Sequence, residues 1–396
     1  MKIRRLTMKK IILLFSILFM FTNTVYGAGP ENIAAKAGIL VEMETGRVLW
    51  GNDFKEPMSV ASTTKIMTAL LAIERGKLEE EVTVSRNASI APKVRLGIKE
   101  GEVYTLKDLL YPLMLESSND VAVAIAEHIG GSVEGFAILM NERAKQIGAE
   151  NTYFVTPNGL DKDRNHSCAY DLAIITIEAL KNEKFMDLIN TNDYRFSEVN
   201  NKRSFQVSNK NRLLKEYEGA IGVKTGFTNL AGNCFVGAAK RDEITLISVV
   251  LASGWGSAGK QRKWTDTKNI LNYGFENFTK QKVIDKNMLV EKVIVRSSWE
   301  KEVTAIIKMD GYAVMGEEEK QGLKVQTQVK TSVQAPVKKG DILGEIWIET
   351  STGDELFRTQ LIAEKDIDKK TFASAVQRLI NIWLNVEFRG IINSDV

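Results

Sequence analysis

With 396 residues, 44% of them hydrophobic and 26% charged, the chain has the make-up of a folded protein with room for more than one domain, which excludes general disorder. Its 53 basic and 50 acidic side chains leave a formal charge of +3 and are dispersed along the chain rather than gathered in a basic tract. Nucleic acid is therefore not expected as a partner.

The first residues carry Lys2, Arg4, Arg5, Lys9 and Lys10, then an apolar run from Ile11 to Phe21, then small residues. This layout predicts a signal peptide over residues 1–27, cut after Gly27, because the run is shorter than the roughly 20 residues that span a bilayer. An exported protein of this size does not depend on disulfides, and Cys168 and Cys234 do not make a framework. We expect both to be small buried hydrophobes, with a bridge between them left open.

"AKAGILVEMETGRVLWGND" reads as a β-hairpin turning at Glu44-Thr45-Gly46-Arg47. Helical periodicity follows in the helix opening at Ser62, in "TLKDLLYPLMLE" and "DVAVAIAEHIGG", and in "EGFAILMNERAKQIG" and "AYDLAIITIEALKN". Thr105 with Asp108 has the look of a capping-box start. From about residue 220 the period changes to two, and "AIGVKTGFTN", "NCFVGAAKRD" and "EITLISVVLAS" predict consecutive antiparallel strands. A hairpin, then helices, then strands predict one α+β domain over residues 30–278.

Polar Thr279 to Asn287 reads as a linker. The short β-rich runs that follow predict a small all-β sandwich over residues 288–366. Residues 369–388 read as an amphipathic helix with Phe372, Ala375, Val376, Leu379, Ile380, Trp383 and Leu384 on one face. Such a helix, with Lys369, Lys370, Arg378 and Arg389 about it, either lies in a membrane interface or packs on its own domain.

Three short clusters carry candidate chemistry. In "ASTTKIMTALLAIE", Ser62 and Lys65 share one face at a helix start, so a lysine with a depressed pKa could deprotonate the serine. Alone, S-x-x-K at a helix start reads as a cap followed by a solvated lysine. "SSND" offers the hydroxyl of Ser117 and the amide of Asn119 between two helices. In "VKTGF", Lys224 and Thr225 could hold a carboxylate, while Gly226 lacks the Cβ that would block a close approach. No metal-ligand pattern involves His128 or His166, and no cofactor is expected.

The ordered set S-x-x-K, S-x-N, K-T-G is a signature of β-lactamases and penicillin-binding proteins. The sequence resembles the D-alanyl-D-alanine carboxypeptidases among the low-molecular-mass penicillin-binding proteins, also through the blocks "GEVYTLKDLLYPLMLESSNDVAVAIAEHIGGS", "NGLDKDRNHSCAYDLA" and "GVKTGFTNLAGNCFVGAA". That resemblance implies a β-lactamase/transpeptidase-like domain, then a β-sandwich domain and a terminal amphipathic helix. It implies Ser62 as the nucleophile, Lys65 as its base, Ser117 as a proton relay, and Asn119, Lys224, Thr225, Gly226 and Phe227 as the substrate-binding set. The Ser62 and Phe227 N–H groups would form the oxyanion hole. Relatives often have threonine where this chain has Cys168, a departure that bears on local packing only.

The implied partners are peptidoglycan stem peptides ending in D-Ala-D-Ala, β-lactam antibiotics as covalent inhibitors, and the outer face of the cytoplasmic membrane. Two rivals stay open: a class A β-lactamase, for which Glu178 inside an apolar helix is a poor deacylating base, and a non-catalytic sensor that keeps the pocket without turnover.

Overall fold

A computed structural model describes residues 29–392; the expected signal peptide lies outside them. The predicted hairpin forms as Ala37–Glu42 and Val48–Asn52, and the former also pairs with the distant strand Ile244–Leu251. Gly232–Arg241 and Ala220–Thr228 complete an antiparallel five-stranded sheet, with Val48–Asn52 at one edge and Ala220–Thr228 at the other. Helices cover both faces, so the central strands are buried on both sides. Ile39, Val41, Val236 and Val249 pack into the main helical core, while Leu40, Phe235 and Val250 meet Trp264, Ile270 and Leu271 of helix Gly256–Asn277. Side chains alternating across a strand make this two-sided burial the reason for the near-continuous apolar runs.

The helical layer holds Lys65–Arg75, Leu106–Leu115, Asn119–Gly130, Val133–Ile147 and Ala169–Leu180. Thr105 caps its helix as expected, its Oγ1 accepting the Asp108 amide at 3.1 Å. An unforeseen hairpin, Asp193–Ser197 with Ser204–Ser208, sits beside this layer. Its polar-rich strands hide in the sequence because an aromatic cluster holds them: Tyr194 stacks on Tyr111, and Phe196 and Phe205 meet Tyr104.

The segment read as a linker is not one. Thr279–Ile284 is a strand paired with Gly311–Met315, and its lysines and glutamine occupy a two-stranded sheet that leaves them partly exposed. A six-stranded sheet faces this pair, with Val293, Val303, Ile307, Leu343, Ile346 and Leu361 among the side chains between them. Phe278 and Val314 join the apolar cluster of the first domain, and Arg47 of the first hairpin turn pairs with Glu319 and donates to the Val314 carbonyl at 2.8 Å. The two domains thus meet through a core and a nearly buried ion pair.

The last described element is the helix Phe372–Ile392. Its start is tied to the β domain, since the Trp299 indole N–H donates to Ser374 Oγ at 3.1 Å and Lys370 and Arg378 lie over the Trp299 ring. Phe372, Leu379, Ile380 and Trp383 are exposed. Among the described residues no single helix is long and apolar enough to cross a membrane.

Candidate active site

Ser62 lies in a 3-10 turn, Ala61–Thr64, that runs directly into the α-helix beginning at Lys65. Ile66, Met67, Leu70 and Leu71 are buried, so the turn is anchored by the helix behind it. Gly159 presses on it from the side: a Cβ there would sit 1.8 Å from the Ala61 carbonyl oxygen. Thr68 Oγ1 donates to the Pro157 carbonyl at 2.6 Å and ties the same loop to the helix.

Lys65 is fully buried, and its Nζ lies 2.9 Å from Ser62 Oγ, 2.8 Å from Asn119 Oδ1 and 2.9 Å from the Asn158 carbonyl oxygen. Asn119 Nδ2 donates to the carbonyls of Pro92 and Lys93, both at 3.1 Å, which fixes the amide with its oxygen toward Lys65. Burial, then the charge of Lys224, hold the Lys65 pKa well below the ordinary lysine value, with Asp120 opposing them. A neutral amine has two N–H bonds and one lone pair. Asn119 Oδ1 and the Asn158 carbonyl can only accept, so they take both N–H bonds and the lone pair is left facing the Ser62 hydroxyl.

Neither Asn158 nor Asp120 was singled out by sequence reasoning. Asn158 acts through its main chain, which its residue type does not advertise, although "NGL" stood inside one of the resembling blocks. Asp120 is wholly buried and accepts the amides of Leu96, Gly97 and Ile98 at 3.0, 2.7 and 3.2 Å. An acid in the first turn of a helix ordinarily reads as a dipole partner; here it also fastens the loop that forms one wall of the site.

On the opposite side runs Ala220–Thr228, an edge strand, so that alternate main-chain groups along it are unpaired by the sheet. Gly226 abuts the nucleophile turn: a Cβ on it would stand 3.0 Å from both the Ser62 nitrogen and the Val60 carbonyl oxygen. Lys224 is buried, with its Nζ 3.2 Å from the Thr225 carbonyl oxygen. Burial and the nearby Lys263 bring its pKa down to about 7. Lys263, on helix Gly256–Asn277, is a third buried lysine that the motifs did not reveal, its own pKa lowered to about 8 by burial first.

The structure therefore brings Ser62, Lys65 and Asn119 into one bonded cluster, with Gly226 against it and Lys224 close enough to act on Lys65. Thr225 is half-buried beside them, and the Phe227 side chain is 46% exposed at the mouth. Ser117 occupies the turn between two helices at φ 69°, and its Oγ is buried without a partner among the described residues. It is not bonded to Ser62 or Lys65.

Residues 24–254 match the D-alanyl-D-alanine carboxypeptidase family, and residues 278–369 match the C-terminal domain of penicillin-binding protein 5. The D-alanyl-D-alanine carboxypeptidase DacF of Bacillus subtilis is 33% identical over 356 residues, 88% of this chain and 90% of the relative. The chain belongs to the D-alanyl-D-alanine carboxypeptidase family. The family member DacC of Escherichia coli is 28% identical over 91% of this chain and 92% of its own. Among solved structures, penicillin-binding protein 5 from Haemophilus influenzae superposes with a TM-score of 0.72 at 26% identity, covering 87% of this chain and 100% of that one.

Other candidates fall into place within this D-alanyl-D-alanine carboxypeptidase. Glu178 is held by Arg143 at 2.6 Å and by Lys181 at 2.9 Å, so it serves an ion-pair network rather than a water. Cys168 and Cys234 are buried and unbridged, and burial pushes their thiols up to about 12 and about 11. Cys168 caps a helix, its Sγ accepting the Asp171 amide at 3.4 Å, which is the local task a threonine would perform there. His128 pairs with Glu80 at 3.3 Å near the surface.

Proposed function

We propose that the protein is a serine-type D-Ala-D-Ala carboxypeptidase that removes the terminal D-alanine of peptidoglycan stem pentapeptides through an acyl-enzyme on Ser62. The observation that carries this reading is the buried Lys65 amine 2.9 Å from Ser62 Oγ, its two other contacts being obligate acceptors. Lys65 takes the Ser62 proton as Oγ attacks the carbonyl of the penultimate D-alanine. The N–H groups of Ser62 and Phe227 receive the oxyanion, each such donor contributing about 3 to 4 kcal/mol. Collapse breaks the peptide bond, and the proton passes through the Ser117 hydroxyl to the departing amine. Water then attacks the ester, Lys65 again taking a proton, and Ser62 is regenerated.

Lys224 and Thr225 hold the terminal carboxylate, Gly226 allows the close approach, and Asn119 contacts the substrate backbone. A β-lactam enters the same path, but its amine stays tethered after ring opening and the acyl adduct persists. The test is intact mass after penicillin exposure. We expect one adduct on the wild type and none on Ser62→Ala; an adduct on the variant would overturn the assignment. Binding of a D-Ala-D-Ala peptide without release of D-alanine would favour the sensor reading instead.

In this reading residues 30–278 carry catalysis, residues 288–366, joined by the preceding strand, form the second domain, and residues 369–388 attach the protein to the outer face of the cytoplasmic membrane. The exposed apolar side chains Phe372, Leu379, Ile380 and Trp383 support the last step. Truncation after Asp368 should move the protein to the soluble fraction, and unchanged membrane retention would sink the anchor.

A further inference from the structure

The strand Val48–Asn52 is the edge of the five-stranded sheet opposite Ala220–Thr228. A cavity of about 650 Å³ lies between it and the second domain, lined on one side by Arg47, Val48, Trp50 and Phe54 and on the other by Asp354 and Glu355. The two acids stand at the turn between strands Ile342–Glu349 and Glu355–Ala363. Such a volume is within the roughly 300–1,000 Å³ of small-molecule sites, which gather at domain junctions. None of Ser62, Lys65, Asn119 and Lys224 lines it. Four strand spacings, roughly 19 Å, separate this edge from the proposed substrate strand.

The lining has bonding capacity to spare. Arg47 has only 7% of its side chain exposed. Its Nη groups go to Glu319 and to the Val314 carbonyl, while Nε is buried with no acceptor among the described residues. A buried donor left unpaired is costly, so the missing acceptor is expected from a ligand. Asp354 accepts Thr352 Oγ1 through Oδ2 at 2.7 Å, which leaves Oδ1 open to a donor. The cavity thus sets a buried donor and two carboxylates around the apolar surfaces of Val48, Trp50 and Phe54.

An edge strand can take up a peptide by main-chain pairing. Here the register slips between Leu40 and Val41, which makes Leu49 an extra residue in the middle of the edge strand. A bulge of this kind twists an edge away from further pairing. A sugar fits better. The C–H face of a pyranose packs on an aromatic ring, its hydroxyls donate to carboxylates, and an acetamido substituent brings both a carbonyl and a methyl.

We infer that this cavity binds an N-acetylated amino sugar of a glycan chain, so that the protein holds the polymer at its domain junction while Ser62 works on an attached peptide. Asp354 and Glu355 accept the ring hydroxyls, Arg47 Nε donates to the acetamido carbonyl, and Trp50 and Phe54 carry the apolar face. The binding stands apart from Ser62; its use in catalysis rests on the carboxypeptidase reading above.

The probe is a peptide-free tetramer of β-1,4-linked N-acetylglucosamine, titrated into the two-domain protein by calorimetry. The wild type should bind it saturably, and should bind a glucose tetramer of the same linkage about tenfold or more weakly, as loss of a bond to a charged donor implies. Asp354→Asn/Glu355→Gln, on an exposed turn, should weaken the first tetramer about tenfold. The penicillin adduct on Ser62 should form at the wild-type rate in that variant and so report a folded protein. With substrates, the variant should raise KM for a peptide still linked to its glycan several-fold and leave kcat/KM for the free peptide unchanged; an unmoved KM overturns the use in catalysis. No saturable binding, equal affinity for the glucose tetramer, or an affinity that the double substitution does not move overturns the site and leaves the carboxypeptidase reading intact. Tetramer binding without release of D-alanine from either substrate overturns that reading instead.

Discussion

The two domains handle polar side chains in opposite ways. In the first, Lys65, Asn119, Asp120 and Lys224 are buried together, and the lysines are strongly shifted toward their neutral forms. In the second, the interior is Val293, Val303, Ile307, Leu343 and their neighbours, while pairs such as Lys292–Glu302 and Arg358–Glu355 stay on the outer surface. Burying an ionisable group costs several kcal/mol unless it is paired or neutralised. Where a fold accepts that cost at several adjacent positions, the groups serve chemistry; where it avoids it, the domain serves placement.

The sharpest way to break this comparison is to remove Lys65. If its amine is the base for Ser62, Lys65→Ala should slow acylation by about 10²- to 10⁴-fold, read as the rate of penicillin adduct formation by mass. The same change at exposed Lys292 should leave that rate as it was. Next comes Asp120→Ala, which strips a buried acceptor from the amides of Leu96, Gly97 and Ile98. Each orphaned charge-assisted bond is worth about 1.5 to 3 kcal/mol and the three are not additive, so urea unfolding should show a loss of about 3 kcal/mol. Unchanged stability would mean the loop is held by other contacts.

Gly226→Ala tests approach rather than charge. Its Cβ would meet main-chain atoms of the nucleophile turn at 3.0 Å, and main chain cannot rotate away as a side chain can. A displacement well under 1 Å at Ser62 should lower kcat/KM by tens of fold with little change in the unfolding midpoint. Equal kcat/KM would show that the strand and the turn are looser than they stand here.

Much of this was legible in the sequence because the signals were local. The hairpin turn, the Thr105 cap and the strand period after residue 220 each depend on a few neighbouring residues, and Ser62 with Lys65 is set by helix geometry alone. What stayed hidden was non-local or carried by the main chain. The Asn158 carbonyl contributes without its side chain, Lys263 comes from a helix on the other face of the sheet, and strand Thr279–Ile284 reads as polar until its partner is known. The motifs drew attention to Ser62, Lys65 and Asn119, which the structure joins in one cluster; they did not reveal how Asp120 and Gly159 brace it.

pH offers a gentler test. Lys224 titrates near 7 in the folded protein and near 10.4 when unfolded, so between those values the unfolded chain binds a proton that the folded one does not. Stability should therefore rise with pH across that window, with the burial penalty fully felt below about pH 7. Function should run the other way, since a neutral Lys224 holds a carboxylate poorly. A limb of kcat/KM that falls as pH rises above about 7, and is weaker in kcat because bound carboxylate restores the charge, would fit. Lys224→Arg, which stays charged, should flatten that limb.

The smallest effect belongs to the second domain. Arg358 pairs with Glu345 and Glu355 and lies 4.5 Å from the Trp347 ring, yet it is well exposed. Exposed pairs give about 0.2 to 1 kcal/mol, and a surface cation over an aromatic ring gives a similar amount. Arg358→Ala should then leave the unfolding midpoint almost where it was and the penicillin acylation rate untouched. A loss of the size expected for Asp120 would mean that this domain, too, relies on its polar groups for more than solubility, and the contrast between the two halves would have to be drawn elsewhere.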